Sequence, residues 1–317
     1  MDTGDVVEIA LPSADDLASV LLSLAVPHED IDILVSRLPG PDRDPALWRH
    51  LEHCTKSVVR RLGTTTEGIP AFPALAGASD VLQRYFPVYV FVAALSHVKA
   101  FHRSRGITDE ISWHTLTDLG RAIADHRHWY GVGGLDAELT SWLTLHFRGL
   151  IYQLGRLQFQ RATLGSRTGK AIAAAGHPCG PGDPALAVHV PAFHGPLTSQ
   201  ACELSFEAAV EFFRRHFPAE RYGVAVCHSW LLDPQLAEYL PPKSNIIQFQ
   251  RRFQPAYQPE PDDHGILRFV FGQAGIDRAT APRRTRLERA VLDHLDAGRH
   301  WHGGAGWTPL TSGVRTT

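Results

Sequence analysis

The stretch from residue 185 to residue 232 constrains the fold most, because it has the pattern of a strand, a loop, a helix and a second strand. A short apolar run from Ala185 to Val190 ends at a proline, and a second such run extends from Tyr222 to Leu232. Between the two runs, apolar residues recur at the helical spacings of three and four. A crossover of this length predicts a βαβ unit with parallel strands and a right-handed connection.

Polar side chains cluster where the carboxyl ends of these strands are expected. His194, Thr198 and Ser199 lie in the loop, and His228 and Ser229 come late in the second strand. Ligands of α/β units bind at the carboxyl ends of the strands, and the N-terminus of the connecting helix favours an anion. This edge is therefore the predicted functional site.

Composition excludes several classes of protein. A chain of 317 residues with 44% hydrophobic and 20% charged residues is long enough for two globular domains and is not typical of disorder. The net charge of −2 and the lack of a long basic run argue against nucleic-acid binding. The four cysteines include no CxxC pair, so we expect reduced thiols.

The sequence gives no sign of export or membrane insertion. Its acidic start lacks the basic and apolar regions of a secretory signal. The most apolar stretch, Phe86 to Leu95, holds ten residues including Pro87, and a membrane-spanning helix needs about twenty. We therefore expect a cytoplasmic protein that contacts neither membrane nor nucleic acid.

Hydrophobic periodicity changes near Gly149, from helical stripes to a mixture of strands and helices. This predicts a helical domain over 1–147, a mixed α+β domain over 148–302 and a flexible, glycine-rich tail over 303–317. Within the second domain, residues 165–184 are predicted as a mobile hairpin or loop, and residues 266–271 as a strand.

Several long motifs resemble a known family. The runs LHFRGLIYQLGRLQFQ, HVPAFHGPLTSQAC, FFRRHFP, CHSWLLDPQLAEYLP and SNIIQFQRRF are similar to bacterial acyltransferases with an N-terminal helical N-acyltransferase domain and a GNAT-like C-terminal domain. The resemblance covers about residues 10 to 305. It implies an α+β protein in which an all-helical domain precedes a mixed sheet with splayed parallel fourth and fifth strands.

The resemblance also implies a donor and the residues that bind it. An acyl-CoA or another phosphopantetheine thioester would slide into the gap between the two strands as co-substrate, pair with the fourth strand, and place its phosphates at the helix N-terminus. The acceptor would be the amine of a small molecule. The residues expected to bind the donor are Val188, Val190, Gly195, Leu197, Thr198, Ser199 and Asn245.

The loop after the fourth strand departs from the family pattern. GNAT enzymes carry a [Q/R]xxGx[G/A] loop, but this chain has AFHGPLTSQ, in which Gly195 is the only glycine and Pro196 removes a backbone donor. The pyrophosphate of CoA is then held differently, or the donor is an acyl-carrier protein. We expect four arginines to be solvated or to bridge domains, and not to bind phosphate: Arg148, Arg156, Arg214 and Arg215.

Aminolysis of a thioester needs a base for the acceptor, donors for the oxyanion and an acid for the leaving thiolate. His228 is the first candidate for the base, since imidazole titrates near neutral pH. His189, His194 and Ser229 are further candidates, and Tyr239 is a candidate acid. Each of the histidines could instead be a structural residue bonded to a neighbouring carbonyl.

Two other functions stay open. A GNAT-like binding or regulatory module without catalysis would explain the missing glycine loop. A metal-dependent hydrolase is less favoured, because no HExxH motif occurs and His189 and His194 lack the helical i, i+4 spacing. We therefore predict no metal.

Overall fold

The structure is a computed structural model that describes residues 8–70, 72–258, 260–272 and 275–310. It divides into two compact units, Met1–Tyr152 and Gln153–Thr317. The first is helical, and the second combines helices with most of a mixed sheet, so the predicted α+β class is confirmed. The predicted boundary between residues 147 and 148 stays a prediction.

The helical unit has its core around one long helix. The helices that the structure describes here are α1 (Ala14–Ser23), α2 (His28–Ser36), α3 (Pro45–Val59), α4 (Asp80–Ser104), α5 (Asp109–Leu116), α6 (Asp118–Tyr130) and α7 (Ala137–Phe147). Every residue of α4 from Tyr85 to Leu95 is buried. A helix that is apolar on all sides has no face for solvent, so it takes the centre of the unit.

Helix α4 continues through Pro87, so the length argument against a membrane span fails. With 25 residues and a mean hydropathy of 1.2 in its most apolar window, α4 is long and apolar enough to cross a membrane by those two measures alone. However, 67% of that window is buried inside the structure. Core helices of globular proteins meet the same two criteria, so the finding is weak evidence for a span.

Arg148 closes the end of α7 and is neither solvated nor bridging, contrary to expectation. Its side chain is fully buried and donates four hydrogen bonds to carbonyl oxygens of the segment 61–68, at 2.8 to 3.3 Å. In return, Gly63 N donates to the Arg148 carbonyl at 2.8 Å. Burial lowers the pKa of Arg148, so these carbonyl dipoles are the groups that compensate its charge.

The second unit contains the sheet. Its strands are β1 (Ile151–Leu154), β2 (Leu157–Thr163), β3 (Pro184–His189), β4 (Val224–Ser229), β5 (Gln254–Pro255) and β6 (Gly304–Pro309), in the spatial order β1-β2-β3-β4-β6-β5. Strands β3 and β4 are parallel, and the pairs β2–β3, β4–β6 and β5–β6 are antiparallel. The predicted parallel pair is confirmed. These two strands are the third and fourth strands of the described chain. The resemblance predicted them as the fourth and fifth.

Helices pack on both faces of the sheet. They are α8 (Ser166–Ala174), α9 (Ser199–His216), α10 (Leu236–Tyr239), α11 (Asn245–Gln250), α12 (Asp263–Phe271) and α13 (Arg286–Asp296), with a 3-10 turn at Trp230–Leu232. Ile172 of α8 packs with Ala185 and Val226 on one face. On the other face, Phe206 of α9 meets Phe159 of β2, with ring centroids 5.3 Å apart.

Two segments of this unit differ in secondary structure from the prediction. The segment predicted as a strand over 266–271 belongs to α12, which Asp262 caps and Gly272 ends with φ of 75°. The segment 165–184, predicted as a loop, contains α8. There Gly169 lets the helix approach residue 181, since an added Cβ would meet Pro181 N at 2.4 Å.

The glycine-rich tail predicted over 303–317 is a strand from 304 to 309, and residues 311–317 lie outside the described residues. Its glycines serve close packing. A Cβ added at Gly304 would lie 2.5 Å from Leu232 Cβ, and one at Gly306 would lie 2.8 Å from Phe253 Cβ. Glycine in a strand therefore signals close approach here, and not flexibility.

Candidate active site

The parallel strands β3 and β4 are paired over a short distance only. Their ladder consists of Leu186 with Ala225 and Ala187 with Val226, and it extends no further. Beyond this point β3 stays paired with β2 as far as His189, and β4 stays paired with β6 as far as Ser229. The strands thus separate at their carboxyl ends. We call the opening between residues 188–190 and 227–229 the strand split.

Two histidines lie at the same level on opposite sides of the strand split. In the register of the pair, His189 corresponds to His228, and both lie on the sheet face that carries α8, because side chains alternate along a strand. The Nε2 atom of His189 is 2.9 Å from Gln160 Oε1 on β2. The Nε2 atom of His228 is 3.5 Å from Thr168 Oγ1 on α8.

His228 has the properties of a base that works near neutral pH. It keeps access to solvent, but partial burial of its ring lowers its pKa below the usual 6.5. A lowered pKa leaves the imidazole neutral at pH 7, and only the neutral form can accept a proton. The chemistry of His228 is therefore that of a proton acceptor at the opening.

Helix α9 begins on the loop that follows β3. Thr198 is its N-cap, and its hydroxyl oxygen accepts from Ala201 N at 3.1 Å. The amides of Ser199 and Gln200 have no acceptor within the part of the chain that the structure describes. Free amides at a helix start favour an anion, so this end of α9 is a candidate phosphate site.

The loop from Pro191 to Leu197 takes an uncommon backbone conformation. His194 and Gly195 have φ of 72° and 78°, both in the left-handed region. Glycine takes this region without cost, but a histidine there carries backbone strain. His194 is exposed, with its ring 4.9 Å from that of Phe193, so the loop presents it away from the core.

Both units match family models. Residues 15–149 match the N-acyltransferase N-terminal domain, and residues 151–308 match the GNAT-like C-terminal domain. A solved acyltransferase in complex with decanoyl-CoA and teicoplanin is 42% identical, with 96% of this chain and 90% of that chain covered and a TM-score of 0.86. This chain belongs to that family of N-acyltransferases.

Two further structures of such acyltransferases have the same coverage, TM-score and 42% identity. One is a variant in complex with octanoyl-CoA, and the other is a complex with CoA and 10C-teicoplanin. No curated protein matched this acyltransferase. The resemblance inferred from the sequence motifs is thus confirmed, and acyl-CoA is the donor class with which these relatives were crystallised.

The structure places the predicted donor-binding residues of β3 and its loop around the strand split. Val188 is buried on the α9 face of the sheet, and Val190 follows directly after the strand. Leu197 is buried, and Gly195 is exposed. Ser199, the first residue of α9, is exposed too. Their binding roles stay predictions.

Two other predicted residues have structural partners in this acyltransferase. The hydroxyl of Tyr239 lies 2.9 Å from His294 Nδ1, and the Tyr239 ring packs against Trp301 among α10 and α13. Ser229 caps the 3-10 turn, since its Oγ accepts from Leu231 N at 3.2 Å. Each contact is sufficient to explain its residue, and neither tests the predicted role.

Asn245 is the first residue of α11 and is exposed. Ser244 caps this helix, with Oγ 3.4 Å from Ile247 N. The cap is thus one residue earlier, and the side chain of Asn245 is left for solvent or ligand. Its predicted role in binding the pantetheine amide stays a prediction.

Sequence reasoning missed several polar residues of the acyltransferase site. Gln160 and Thr168 hold the two histidines, but glutamine on a strand and threonine in a glycine-rich segment carry no recognisable motif. Arg156 was expected to be solvated or to bridge domains, and it is only 8% exposed. It follows Gly155 in the turn between β1 and β2, and the sequence has no signal that such a turn is buried.

The described residues contain no cluster of three or more histidine, cysteine, aspartate or glutamate side chains that could hold a metal ion. Cys227 lies beside His228 but is fully buried, and burial raises the pKa of its thiol to about 12. A thiol with that pKa is not ionised at neutral pH. Cys227 is therefore unsuited to act as a nucleophile beside His228.

Proposed function

We propose that this acyltransferase moves a medium-chain acyl group from a CoA thioester to the amine of a glycopeptide-like acceptor by direct attack in a ternary complex. The strand split, with His189 and His228 on one face and the start of α9 beyond it, is the observation that carries the proposal. The ligands of the related acyltransferases, decanoyl-CoA, octanoyl-CoA and teicoplanin, support the choice of donor and acceptor.

The reaction is an aminolysis. The lone pair of the acceptor nitrogen attacks the thioester carbonyl carbon, and a tetrahedral oxyanion forms. The nitrogen gives up its proton to a base, the carbon–sulfur bond breaks, and the leaving thiolate takes up a proton. Bringing the two substrates together supplies a large part of the rate, since effective concentrations replace a bimolecular encounter.

We assign the base to His228, with His189 across the split as the second candidate. A neutral imidazole at the mouth of the split can accept the proton from the acceptor amine. Gln160 fixes the ring of His189 through Nε2, and Thr168 Oγ1 lies 3.5 Å from Nε2 of His228. The edge of β3 that no longer pairs with β4 offers backbone groups to the amides of pantetheine.

The test also distinguishes two alternatives, an acyl-carrier protein as the donor and a binding module without catalysis. An acyl-carrier protein would present phosphopantetheine without the nucleotide, which fits a loop that lacks the family glycines. A module without catalysis would bind a thioester and release no thiol. A cytoplasmic location, where acyl-CoA is available, is part of the same proposal.

The test uses acetyl-CoA, octanoyl-CoA, decanoyl-CoA and a decanoyl-loaded carrier protein, each with a glycopeptide amine. Released thiol is followed by a colorimetric reagent, and the acylated product by mass spectrometry. We expect acceptor-dependent release of CoA with octanoyl- and decanoyl-CoA, unaffected by a chelator. Thiol release from no donor would leave the binding module, and inhibition by a chelator would favour a metal hydrolase.

His228→Ala should lower kcat/KM at least about tenfold, as expected for the loss of a general base, with an unchanged unfolding curve. Because burial lowers the pKa of His228, wild-type kcat/KM should decline only below pH 6.5, where the imidazole gains its proton. His189→Ala is the matched variant across the split. A wild-type pH profile in His228→Ala would remove His228 as the base.

A further inference from the structure

The described residues include three buried arginines, and they differ in what compensates their charge. Arg148 has the carbonyl oxygens of the segment 61–68. Arg161 has the carboxylate of Glu220, with Nε at 3.1 Å from Oε2. Arg156 is only 8% exposed and has no carboxylate partner in the described part of the chain.

The guanidinium of Arg156 makes one hydrogen bond, from Nη1 to the Pro191 carbonyl at 2.9 Å. Its Nε is buried without any acceptor in the residues that the structure describes. A buried charge with one neutral acceptor is costly, because it has lost its water without gaining a counter-ion. The unused donors of this planar group are suited to an anion.

Arg156 lies at the start of α9. Its backbone N donates to Ser205 Oγ at 2.8 Å, and Ser205 is on the second turn of that helix. Burial raises the pKa of the Cys202 thiol on the first turn of α9, and the charges of Arg252 and, to a smaller extent, Arg156 oppose this shift. Pro191 comes directly after β3. Arg156 therefore lies beside the first two turns of α9, with its guanidinium at the carbonyl that follows β3.

We propose that Arg156 binds the phosphate group of the phosphopantetheine donor, together with the amides of Ser199 and Gln200. The inference rests on the proposed function, which places a pantetheine thioester in the strand split. A buried guanidinium from the β1–β2 turn then supplies the positive charge that a single-glycine loop with a proline does not. The phosphate is common to CoA and to a carrier-bound arm.

Arg252 does not compete for this role. It also lies at the first turn of α9, but Nη1 donates to Glu203 Oε2 and Nη2 to the Ser199 carbonyl, both at 2.7 Å. Its charge is matched by a carboxylate, and Arg156 is left as the cation there that lacks one in the described chain.

The experiment measures binding by calorimetry, without an acceptor, so that no turnover occurs. The three probes are S-decanoyl-pantetheine, its 4′-phosphate and decanoyl-CoA, which carry no phosphate, one phosphate, and a diphosphate with nucleotide. The proteins are wild type, Arg156→Met and Arg214→Met. Arg214 is an exposed arginine at the far end of α9, so its variant controls for the loss of net charge.

We expect Arg156→Met to weaken both phosphate-bearing probes at least about tenfold, as for the loss of a charge-assisted hydrogen bond, and to leave S-decanoyl-pantetheine unchanged. Arg214→Met should match wild type throughout. An equal loss for 4′-phosphopantetheine and CoA assigns Arg156 to the first phosphate. A loss for CoA alone would contradict the assignment, because 4′-phosphopantetheine carries the shared phosphate.

Three other outcomes also overturn the assignment. Equal weakening of all three probes would mean that Arg156 only holds Pro191 in place, and unchanged binding would mean that it has no role. A wild-type protein that binds none of the probes overturns the proposed function as well. If Arg156→Met does not fold, Arg156→Lys replaces it. That variant should weaken the binding of the two phosphate-bearing probes alone, because lysine keeps the charge but lacks the paired donors of the planar guanidinium.

Discussion

A buried arginine lies near each end of helix α9, and the two differ in whether a carboxylate pairs with the charge. At the C-terminal end, Arg161 is paired with Glu220 and lies over the ring of Phe217, with the guanidinium carbon 4.2 Å from the ring centroid. At the N-terminal end, Arg156 donates to one carbonyl and keeps a buried Nε without an acceptor in the described chain. Both arginines come from the β1–β2 segment, five residues apart.

The difference separates an internal ion pair from a site that needs a ligand. Pairing with Glu220 raises the pKa of Arg161, whereas burial lowers the pKa of Arg156. A carboxylate of the protein stabilises the buried charge whether or not a ligand is bound. Where the protein supplies no carboxylate, the charge is stabilised only when an anion binds. We call the C-terminal end of α9, where Arg161 is paired, the closed end, and the N-terminal end, beside Arg156, the open end. Changes at the closed end should therefore alter the free energy of unfolding, and changes at the open end should alter the affinity for the donor.

The largest expected effect is at the closed end. Glu220→Gln should lower the free energy of unfolding by about 3 kcal/mol, because it leaves the charge of Arg161 buried without a counter-ion. Urea unfolding followed by circular dichroism measures it. Binding of decanoyl-CoA to the folded variant should stay at the wild-type value.

Tyr222→Phe is the matched control, since the Tyr222 hydroxyl contacts the same carboxylate. It removes the hydrogen bonds of the hydroxyl with Glu220 and Arg161 but keeps both charges, and it should cost about 1.5 kcal/mol. If Glu220→Gln costs no more than Tyr222→Phe, the ion pair contributes nothing beyond a hydrogen bond, and the contrast between the two ends loses its basis.

The second effect has the opposite sign. Arg156→Met should leave the free energy of unfolding of the ligand-free protein unchanged or raise it by up to about 2 kcal/mol, because methionine replaces an uncompensated buried charge with an apolar chain. The same urea titration measures it. A loss of more than about 1 kcal/mol would place Arg156 with Arg161 among the structural arginines.

The third effect separates capping from binding at the open end. Thr198→Ala should cost about 1 kcal/mol of unfolding free energy through the loss of the N-cap of α9. Thr285→Ala, which removes the cap of α13, is the matched control and should cost about the same. Only Thr198→Ala should also weaken decanoyl-CoA. Equal affinities in both variants would argue against an anion at the start of α9.

How far the sequence predicts this molecule depends on whether a signal is local. The parallel strands around α9 follow from the pattern of neighbouring residues, and the structure confirms them. The 266–271 segment was wrong because its apolar run fits a helix as well as a strand, and the N-cap at Asp262 lies outside that run.

The site is harder to predict, because its polar residues meet across the fold. Arg156 and Pro191 are 35 positions apart, and Thr168 and His228 are 60 apart. No periodicity connects such pairs, so the sequence predicts histidines at an edge but not the residues that orient them. The glycines of β6 were misread for the same reason, since their close neighbours Leu232 and Phe253 are distant in sequence.

The smallest expected effect tests the loop at the open end. A non-glycine residue in the left-handed region costs about 1–2 kcal/mol, and glycine in the folded chain costs about 0.5–1 kcal/mol of conformational entropy. His194→Gly should therefore raise the free energy of unfolding by about 0.5 kcal/mol, the difference between these two costs. His194→Ala keeps its Cβ and should show no gain. Equal stability of the two variants would mean that the loop relaxes once the imidazole is removed. The backbone of the loop at the open end of α9 would then carry no strain.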